Sequence, residues 1–295
     1  EAVMAYDYHV RMQDWDGIIA LAGKKLPDTP MAVSCLNLAL GMKGQLADRM
    51  FHYRQRGKEG LFMSFVNDFT IPLVAAEPYY YLGMVNTAQQ LVFEAMEAIP
   101  DYQKSVRCFK RLAETNLING RYEVAGKYLR ILQHTLFYKD WATEMLACMD
   151  DEARIDAHPE YGRLRKLTPQ TDLFFNPAEP EMTLSLLLQA NPENRMAYEY
   201  LMGITLLKKD MGRFVHYYPL GEKLGYRSIP KSYQEALLFG WSMQKHTPGE
   251  EIPWKINRET GERLREYARI YTSTRSEEAL APRFGDTYWF YVHFR

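Results

Sequence analysis

The sequence has few cysteines, and no two of them have the close spacing of a metal-binding or redox motif. Cys35, Cys108 and Cys148 are the three cysteines among 295 residues, and none belongs to a C-x-x-C pair. This excludes an encoded zinc knuckle and a framework of several disulfides. We interpret them as buried free thiols. One disulfide beside one free cysteine stays open, so the cysteines do not indicate a compartment.

An excess of charge of one sign is also missing. The chain carries 36 basic and 37 acidic residues, for a net charge of −1. No global field attracts nucleic acid or an anionic membrane, so no nucleic-acid partner is expected. The densest basic cluster is Arg163, Arg165 and Lys166, near Arg154. We interpret it as part of a solvated connector, with lipid headgroups or a phosphate as the alternative partners.

Long apolar runs are absent as well. The longest uncharged apolar-rich stretch is Pro78–Phe93, and it contains polar residues at Asn86, Thr87, Gln89 and Gln90. Such a stretch cannot span a bilayer. The chain opens with Glu1 without a basic and apolar leader, so we expect a domain cut from a longer protein.

Small residues recur at positions where paired helices would touch. The clearest helix pair covers Phe109–Phe137, with Gly120 in its turn and Ala125 in its second helix. Gly83 and Ala88 lie 37 residues before those two positions. Two weaker pairs precede them, so that about four pairs are readable before residue 150.

This pattern resembles the tetratricopeptide repeat, a unit of two antiparallel helices. It predicts an all-α fold, an α-α superhelix or solenoid of helix pairs in two halves. The first half is residues 1–150 and the second is residues 181–295, which holds further helix pairs and an aromatic C-terminal cap. Residues 151–180 are predicted to be a Pro-rich connector with one short helix.

The second half shows helical spacing with clear interruptions. Helices are predicted over Met182–Ala190, Arg195–Lys209, Pro230–Gln244 and Thr260–Ser273. Pro219 is expected to kink or split the helix that follows Arg195–Lys209.

The last twelve residues, 284–295, contain six aromatic residues. They cannot comfortably remain in water. We expect them to fold back as a strand or a helix that seals the last helix pair, with a docking segment for a partner or a membrane interface as the alternative.

A second resemblance is carried by two long segments and several short ones. The long segments are Asn191–Met202 (NPENRMAYEYLM) and Ile229–Leu238 (IPKSYQEALL), and the short ones are Asn119–Tyr122, Tyr128–Leu132 and Thr287–Trp289. They resemble a family of uncharacterised bacterial proteins, chiefly from gut anaerobes, in which a multi-pass membrane half precedes a helical-repeat half. The resemblance implies a membrane anchor outside this chain and no assigned activity.

No motif for chemistry emerges from the sequence. The seven histidines include no H-x-x-x-H or H-E-x-x-H spacing, so no metal site is predicted. Gly240–Gln244 lacks the closing glycine of a nucleophile elbow, and no phosphate-binding glycine loop occurs. We therefore predict no catalytic residues, no cofactor and no enzyme activity.

The candidate partner-binding residues are aromatic. Tyr79, Tyr80 and Tyr81 are consecutive, so on a helix they point to nearly all sides and at least one is expected to face a groove or solvent. Tyr288 and Trp289 belong to the aromatic C-terminal segment. Any of these side chains that is exposed could anchor a peptide or stack on a sugar.

The expected function is a non-catalytic protein-interaction scaffold that binds a protein or peptide partner. It would be the soluble part of a membrane-anchored protein, in contact with a membrane only through a missing N-terminal segment. The expected location is the periplasm, with the cytoplasmic face as the alternative. A second hypothesis is an accessory or substrate-binding domain of a membrane enzyme that handles glycans or lipid-linked substrates. A third, a helical-toroid enzyme, requires carboxylates gathered in one deep pocket. The sequence does not indicate an oligomeric state.

Overall fold

The computed structural model describes residues 2–65, 70–247 and 249–295, and these residues form helices joined by turns and loops. They contain no strand, apart from one isolated bridge between Arg56 and Lys58. Helices that are neighbours in sequence pack as pairs. The predicted all-α class is confirmed.

Contacts divide the chain into two compact units. Unit 1 joins Glu1–Met63 to Arg195–Arg295, and unit 2 is Ser64–Asn194. Unit 1 is therefore built from both ends of the chain, whereas unit 2 is continuous. The division into halves at residues 151–180 stays a prediction.

Unit 2 contains eight of the helices in the described residues. They are α5 (Ile71–Leu82), α6 (Val85–Glu97), α7 (Val106–Ile118), α8 (Tyr122–Leu132), α9 (Lys139–Cys148), α10 (Glu152–Ala157), α11 (Tyr161–Leu167) and α12 (Pro180–Ala190). A 3₁₀ turn occupies Pro100–Tyr102.

The two helix pairs predicted most clearly are α5 with α6 and α7 with α8. Gly83 and Gly120 form their turns with φ of 92° and 68°, a region that glycine enters without strain. Ala88 and Ala125 are fully buried where the second helix of each pair meets the first. The small residues thus occupy the predicted positions.

The connector contains two short helices, α10 and α11, where one was predicted. Arg165 on α11 is largely buried and donates to the main-chain oxygens of Leu117 and Ile118, at 2.8 and 3.0 Å. It also pairs with Glu152 and Asp156 at 2.6 and 2.9 Å. The interpretation of this basic cluster as solvated or lipid-binding is therefore wrong for Arg165, which ties α11 to the end of α7.

Unit 1 contains the other ten helices of the described residues. They are α1 (Ala2–Arg11), α2 (Trp15–Lys24), α3 (Pro30–Met42), α4 (Leu46–Arg49), α13 (Arg195–Leu207), α14 (Met211–Tyr217), α15 (Lys231–Ser242), α16 (Arg258–Thr274), α17 (Glu277–Phe284) and α18 (Tyr288–Phe294). Two 3₁₀ helices cover Met50–His52 and Tyr218–Leu224.

Proline shapes the helix after α13 as predicted. Pro219 follows the end of α14 at Tyr217, and the chain continues as the 3₁₀ helix Tyr218–Leu224. Proline cannot supply the main-chain N–H that an α-helix needs at that point. This 3₁₀ helix contributes Tyr218, Gly221 and Glu222 to the lining of a cavity in unit 1.

The aromatic C-terminal segment folds back as a helix. Thr287 caps α18 by accepting a hydrogen bond from the Phe290 main-chain N–H at 3.2 Å. Trp289 and Phe290 pack with Tyr267 and Phe284 in a buried cluster. Of the two predicted roles, the structure has the cap.

Candidate functional site

The three consecutive tyrosines predicted to touch a partner lie on α5 and are buried. Tyr79 and Tyr80 are 0% exposed and Tyr81 is 2% exposed. All residues of Pro72–Leu82 are buried, because α5 is surrounded by other parts of unit 2, including α6 and α11. In this structure none of the three tyrosines reaches solvent or a groove, as partner binding would require.

Tyr80 instead covers a buried network of charges. The Arg111 guanidinium lies 3.7 Å from the Tyr80 ring centroid and donates to both oxygens of Glu77, at 2.9 and 2.7 Å. Arg111 also pairs with Glu114 at 2.9 Å, and Lys110 binds Glu114 at 3.0 Å. Burial opposes the ionisation of Glu114, but Lys110 and Arg111 hold its pKa below the ordinary value. Two cations meet two carboxylates, so these four groups carry no net charge and none is left as an uncompensated buried charge.

The other two predicted residues, Tyr288 and Trp289, are also buried. The Trp289 Nε1–H donates to the Glu235 main-chain oxygen at 2.8 Å, and the Tyr288 main-chain N–H donates to Glu235 Oε2 at 2.9 Å. The Tyr288 ring packs on Phe51, with centroids 5.2 Å apart. Both residues fasten α18 to α15 and to the N-terminal part of unit 1.

A cavity of about 370 Å³ opens in unit 1 at a place that the sequence did not single out. We call it the tyrosine pocket. Its lining residues are Tyr198, Tyr218, Gly221, Glu222, Tyr226, Arg227, Ser228, Ile229, Pro230, Tyr233, Lys255 and Asn257. Aromatic walls with a few polar groups are typical of binding pockets, and the volume lies within their usual range.

The tyrosines of the pocket are held by one another and by the main chain. The Tyr198 hydroxyl donates to the Tyr218 main-chain oxygen at 2.8 Å. The Tyr198 ring lies 6.1 Å from the rings of both Tyr226 and Tyr233. At Gly221 an added Cβ would lie 2.4 Å from Tyr198 Cζ, so only glycine allows this approach. The walls are therefore fixed before any ligand arrives.

An ion pair between the exposed Arg195 and the buried Glu199 supports the same wall. Glu199 Oε1 accepts from Arg195 Nε at 2.8 Å and from the Tyr226 hydroxyl at 2.9 Å. The Arg195 guanidinium stands 4.5 Å from the centroid of the Tyr226 ring. Burial raises the pKa of Glu199, although Arg195 and Tyr226 oppose that change.

The pocket tyrosines keep their protons near neutral pH. Burial raises the pKa of Tyr198, Tyr226 and Tyr233 above the ordinary value of 10.0. Each hydroxyl is therefore a hydrogen-bond donor. The Tyr233 hydroxyl and Glu199 Oε2 are buried, and neither has a hydrogen-bond partner among the residues described. Such atoms are costly to stability, and in native proteins they call for an explanation.

The rim of the pocket carries unpaired positive charge. Arg227 and Lys255 are exposed and form no ion pair within the described part of the chain, and Glu222 is the acidic residue of the lining. The rim thus has two cations against one carboxylate. This arrangement favours an anionic group on the ligand.

A second, smaller cavity of about 260 Å³ lies beside the first and shares Ser228, Ile229 and Asn257 with it. Trp289 lines this cavity, so of the predicted site residues it is the one that lies along a pocket of unit 1. Lys231 and Glu235 lie there too, with their nitrogen and oxygen atoms 2.8 Å apart.

Two carboxylates near this cavity have opposite pKa shifts. Burial raises the pKa of Glu235, against the effect of Lys231. Asp286 is also opposed by burial, but Lys231 and Arg263 hold its pKa below the ordinary value. A divergent pair of this kind can serve as acid and base. Here both oxygens of Glu235 are already bound, by Lys231 and by the Tyr288 main-chain N–H. We therefore interpret Glu235 and Asp286 as structural residues and not as an acid and a base for catalysis.

Three of the five segments that carried the second resemblance contribute residues to these two cavities. Tyr198 belongs to Asn191–Met202, Tyr233 and Glu235 belong to Ile229–Leu238, and Trp289 belongs to Thr287–Trp289. These motif tyrosines were the available signal for the pocket. Spacing alone could not find it, because the lining residues are far apart in sequence.

No group of three or more His, Cys, Asp and Glu side chains is arranged to hold a metal ion in the part of the chain described. Within the same residues, no helix combines the length and apolar character needed to cross a bilayer.

Comparison with known proteins gives one match. The family described as "Family of unknown function (DUF6057)" matches residues 1–295, and the chain belongs to this family. No curated protein and no solved structure matches the chain.

Proposed function

We propose that this DUF6057 member is a non-catalytic protein-interaction domain built from tetratricopeptide-like helix pairs. Its partner would present an acidic segment that enters the tyrosine pocket of unit 1. The observation that carries the proposal is the combination of four tyrosines with two unpaired cations, Arg227 and Lys255, around one cavity.

The composition of the pocket favours a protein partner. Tyrosine and arginine are the side chains that most often dominate binding energy at protein interfaces, because they offer large contact areas and polar tips. The tyrosines are already ordered by their hydrogen bonds and ring contacts, so binding would require little further ordering. An aromatic or aliphatic side chain of the partner would fill the pocket.

The charge of the rim selects what lies beside that side chain. Arg227 and Lys255 would pair with carboxylates that flank the inserted side chain, and Glu222 would disfavour a basic neighbour. The partner segment is therefore an apolar residue next to one or two acidic residues. Its affinity would fall as salt is added, because the rim charges are exposed.

A peptide selection tests the proposal. A random peptide library would be selected on the immobilised chain of residues 1–295 and counter-selected on the double variant Arg227→Glu, Lys255→Glu. We expect enriched peptides with an apolar residue beside acidic ones, and about tenfold or greater loss of affinity in the double variant.

Lys223 provides the matched control. It is an exposed lysine on the 3₁₀ helix of the same unit and does not line the pocket. Lys223→Glu should leave affinity within about twofold. Failure to enrich any peptide, or equal loss in Lys223→Glu and the double variant, would contradict the proposal.

We also propose that the domain works as part of a membrane-anchored protein, with the periplasm as its compartment. The support is the resemblance of Asn191–Met202 and Ile229–Leu238 to proteins whose helical-repeat half follows a multi-pass membrane half. Fractionation of cells that make the full-length protein tests this: detergent should release it from membranes, whereas alkaline carbonate should not.

A further inference from the structure

Unit 2 has a cavity of its own, of about 430 Å³, between α6 and the irregular segment that follows α11. We call it the amide cavity. It is lined by Phe65, Asn86, Thr87, Gln89, Gln90, Leu91, Arg121, Asp172, Leu173, Phe174 and Phe175. None of these residues belongs to the tyrosine pocket.

The wall opposite α6 is held firmly in place. The Phe175 ring packs edge-on against Tyr79, with centroids 4.8 Å apart. The Asn176 main-chain N–H donates to Thr183 Oγ1 at 3.2 Å. Asn86 joins the two sides, since its Nδ2 donates to Asp172 at 2.6 Å and its Oδ1 accepts from Asn119 at 2.8 Å. The cavity is thus a built feature of the unit.

Four groups in the lining remain available to a ligand. Phe174 is 87% exposed, an unusual position for a phenyl ring. The Gln89 amide has no hydrogen bond, and the Arg121 side chain no ion pair, within the described part of the chain. The cavity therefore offers the Phe174 ring, the partly exposed Phe65 ring, one free amide and one free guanidinium.

The polar groups suit hydroxyl groups better than charged ones. An amide presents a donor and an acceptor together, and a hydroxyl needs both. The lining contains one cation, Arg121, and one carboxylate, Asp172, so its net charge is zero and does not favour a charged ligand. An open phenyl face packs well against a ring whose C–H bonds lie on one side.

We propose that the amide cavity binds a neutral pyranose unit of a glycan, stacked on Phe174. Gln89 and Arg121 bind its hydroxyl groups, and the volume accommodates one ring with its substituents. A peptide is the less suitable ligand, because three amides, a guanidinium and a carboxylate interrupt the apolar part of the lining, whereas an anchor side chain of a peptide needs a continuous apolar floor.

Saturation-transfer difference NMR on the chain of residues 1–295 tests the inference. The probes are the methyl pyranosides of glucose, galactose, mannose and N-acetylglucosamine. We expect saturation transfer to the ring protons of at least one of them. Phe174→Ala should weaken its binding about tenfold, and Gln89→Ala should weaken it severalfold.

Unit 2 offers matched controls for both substitutions. Phe137 is 84% exposed and Gln103 is also exposed, and neither lines the cavity. Phe137→Ala and Gln103→Ala should leave binding within about twofold. The inference is overturned if no pyranoside receives saturation, or if Phe137→Ala weakens binding as much as Phe174→Ala.

Discussion

At the scale of single residues, the buried Tyr233 hydroxyl is a local cost to stability. It lines the tyrosine pocket, and no hydrogen-bond partner for it occurs among the residues described. A buried donor without a partner destabilises the folded state.

Removing that hydroxyl should therefore stabilise the protein. We expect Tyr233→Phe to raise the free energy of unfolding by about 1 kcal/mol. Tyr198→Phe is the counterpart, because its hydroxyl donates to the Tyr218 main-chain oxygen. It should lower the free energy of unfolding by about 1 kcal/mol. Urea unfolding followed by circular dichroism measures both, and a destabilised Tyr233→Phe would refute the assignment.

The burial of all three tyrosines of α5 could not be predicted from their own positions in the sequence. Three consecutive tyrosines on a helix point in three directions, which led to the expectation that one would be exposed. The sequence could not show that Glu77, Lys110, Arg111 and Glu114 form a neutral network beside them. Those charged residues belong to two helices, α5 and α7, and nothing in their spacing distinguishes them from charged residues on a protein surface.

At the scale of elements, glycine and proline were the most informative residues. Gly83, Gly120 and Pro219 mark turns and a change of helix type that the structure contains, because each has a main-chain requirement that does not depend on the rest of the fold. The connector was less predictable. Its prolines indicated interruptions, but the buried contacts of Arg165 depend on helices distant in sequence.

The two turn glycines should differ in their sensitivity to substitution. Both have positive φ, so alanine is strained at either position. At Gly83 a Cβ would also lie 2.7 Å from Leu167 Cβ, whereas at Gly120 nothing lies within 4 Å. We expect Gly120→Ala to cost about 1 kcal/mol and Gly83→Ala about 2 to 4 kcal/mol.

Urea unfolding of the two variants checks this difference. Equal losses would mean that the α5–α6 turn can move away from Leu167, and that the close approach is not a constraint. Either result leaves the helix pairs themselves intact, which far-UV circular dichroism would verify.

At the scale of the whole molecule, unit 1 depends on both ends of the chain. Lys231 donates its main-chain N–H to Asp48 at 2.8 Å, and Phe51 packs on Tyr288. Leu61 lies so close to Gly203 that a Cβ there would be 2.9 Å from its Cδ1. The N-terminal helices therefore complete the core of α13–α18.

Fragments should show this dependence. We expect residues 64–194 alone to unfold cooperatively in urea. Residues 195–295 alone should bind the dye ANS and lack dispersed NMR signals, because their core is incomplete. Adding residues 1–63 should restore dispersed signals. Cooperative unfolding of 195–295 by itself would contradict the division.

The split composition of unit 1 also has a consequence for synthesis. Asp48 leaves the ribosome long before its partner Lys231, since 183 residues separate them. At roughly 5–20 residues per second, the first segment waits about 10–40 s for translation to deliver that partner. Throughout that interval Tyr288, whose ring packs on Phe51 in the folded protein, has not been synthesised. The nascent chain therefore exposes apolar surface that is prone to aggregate, and chaperones would have to shield it.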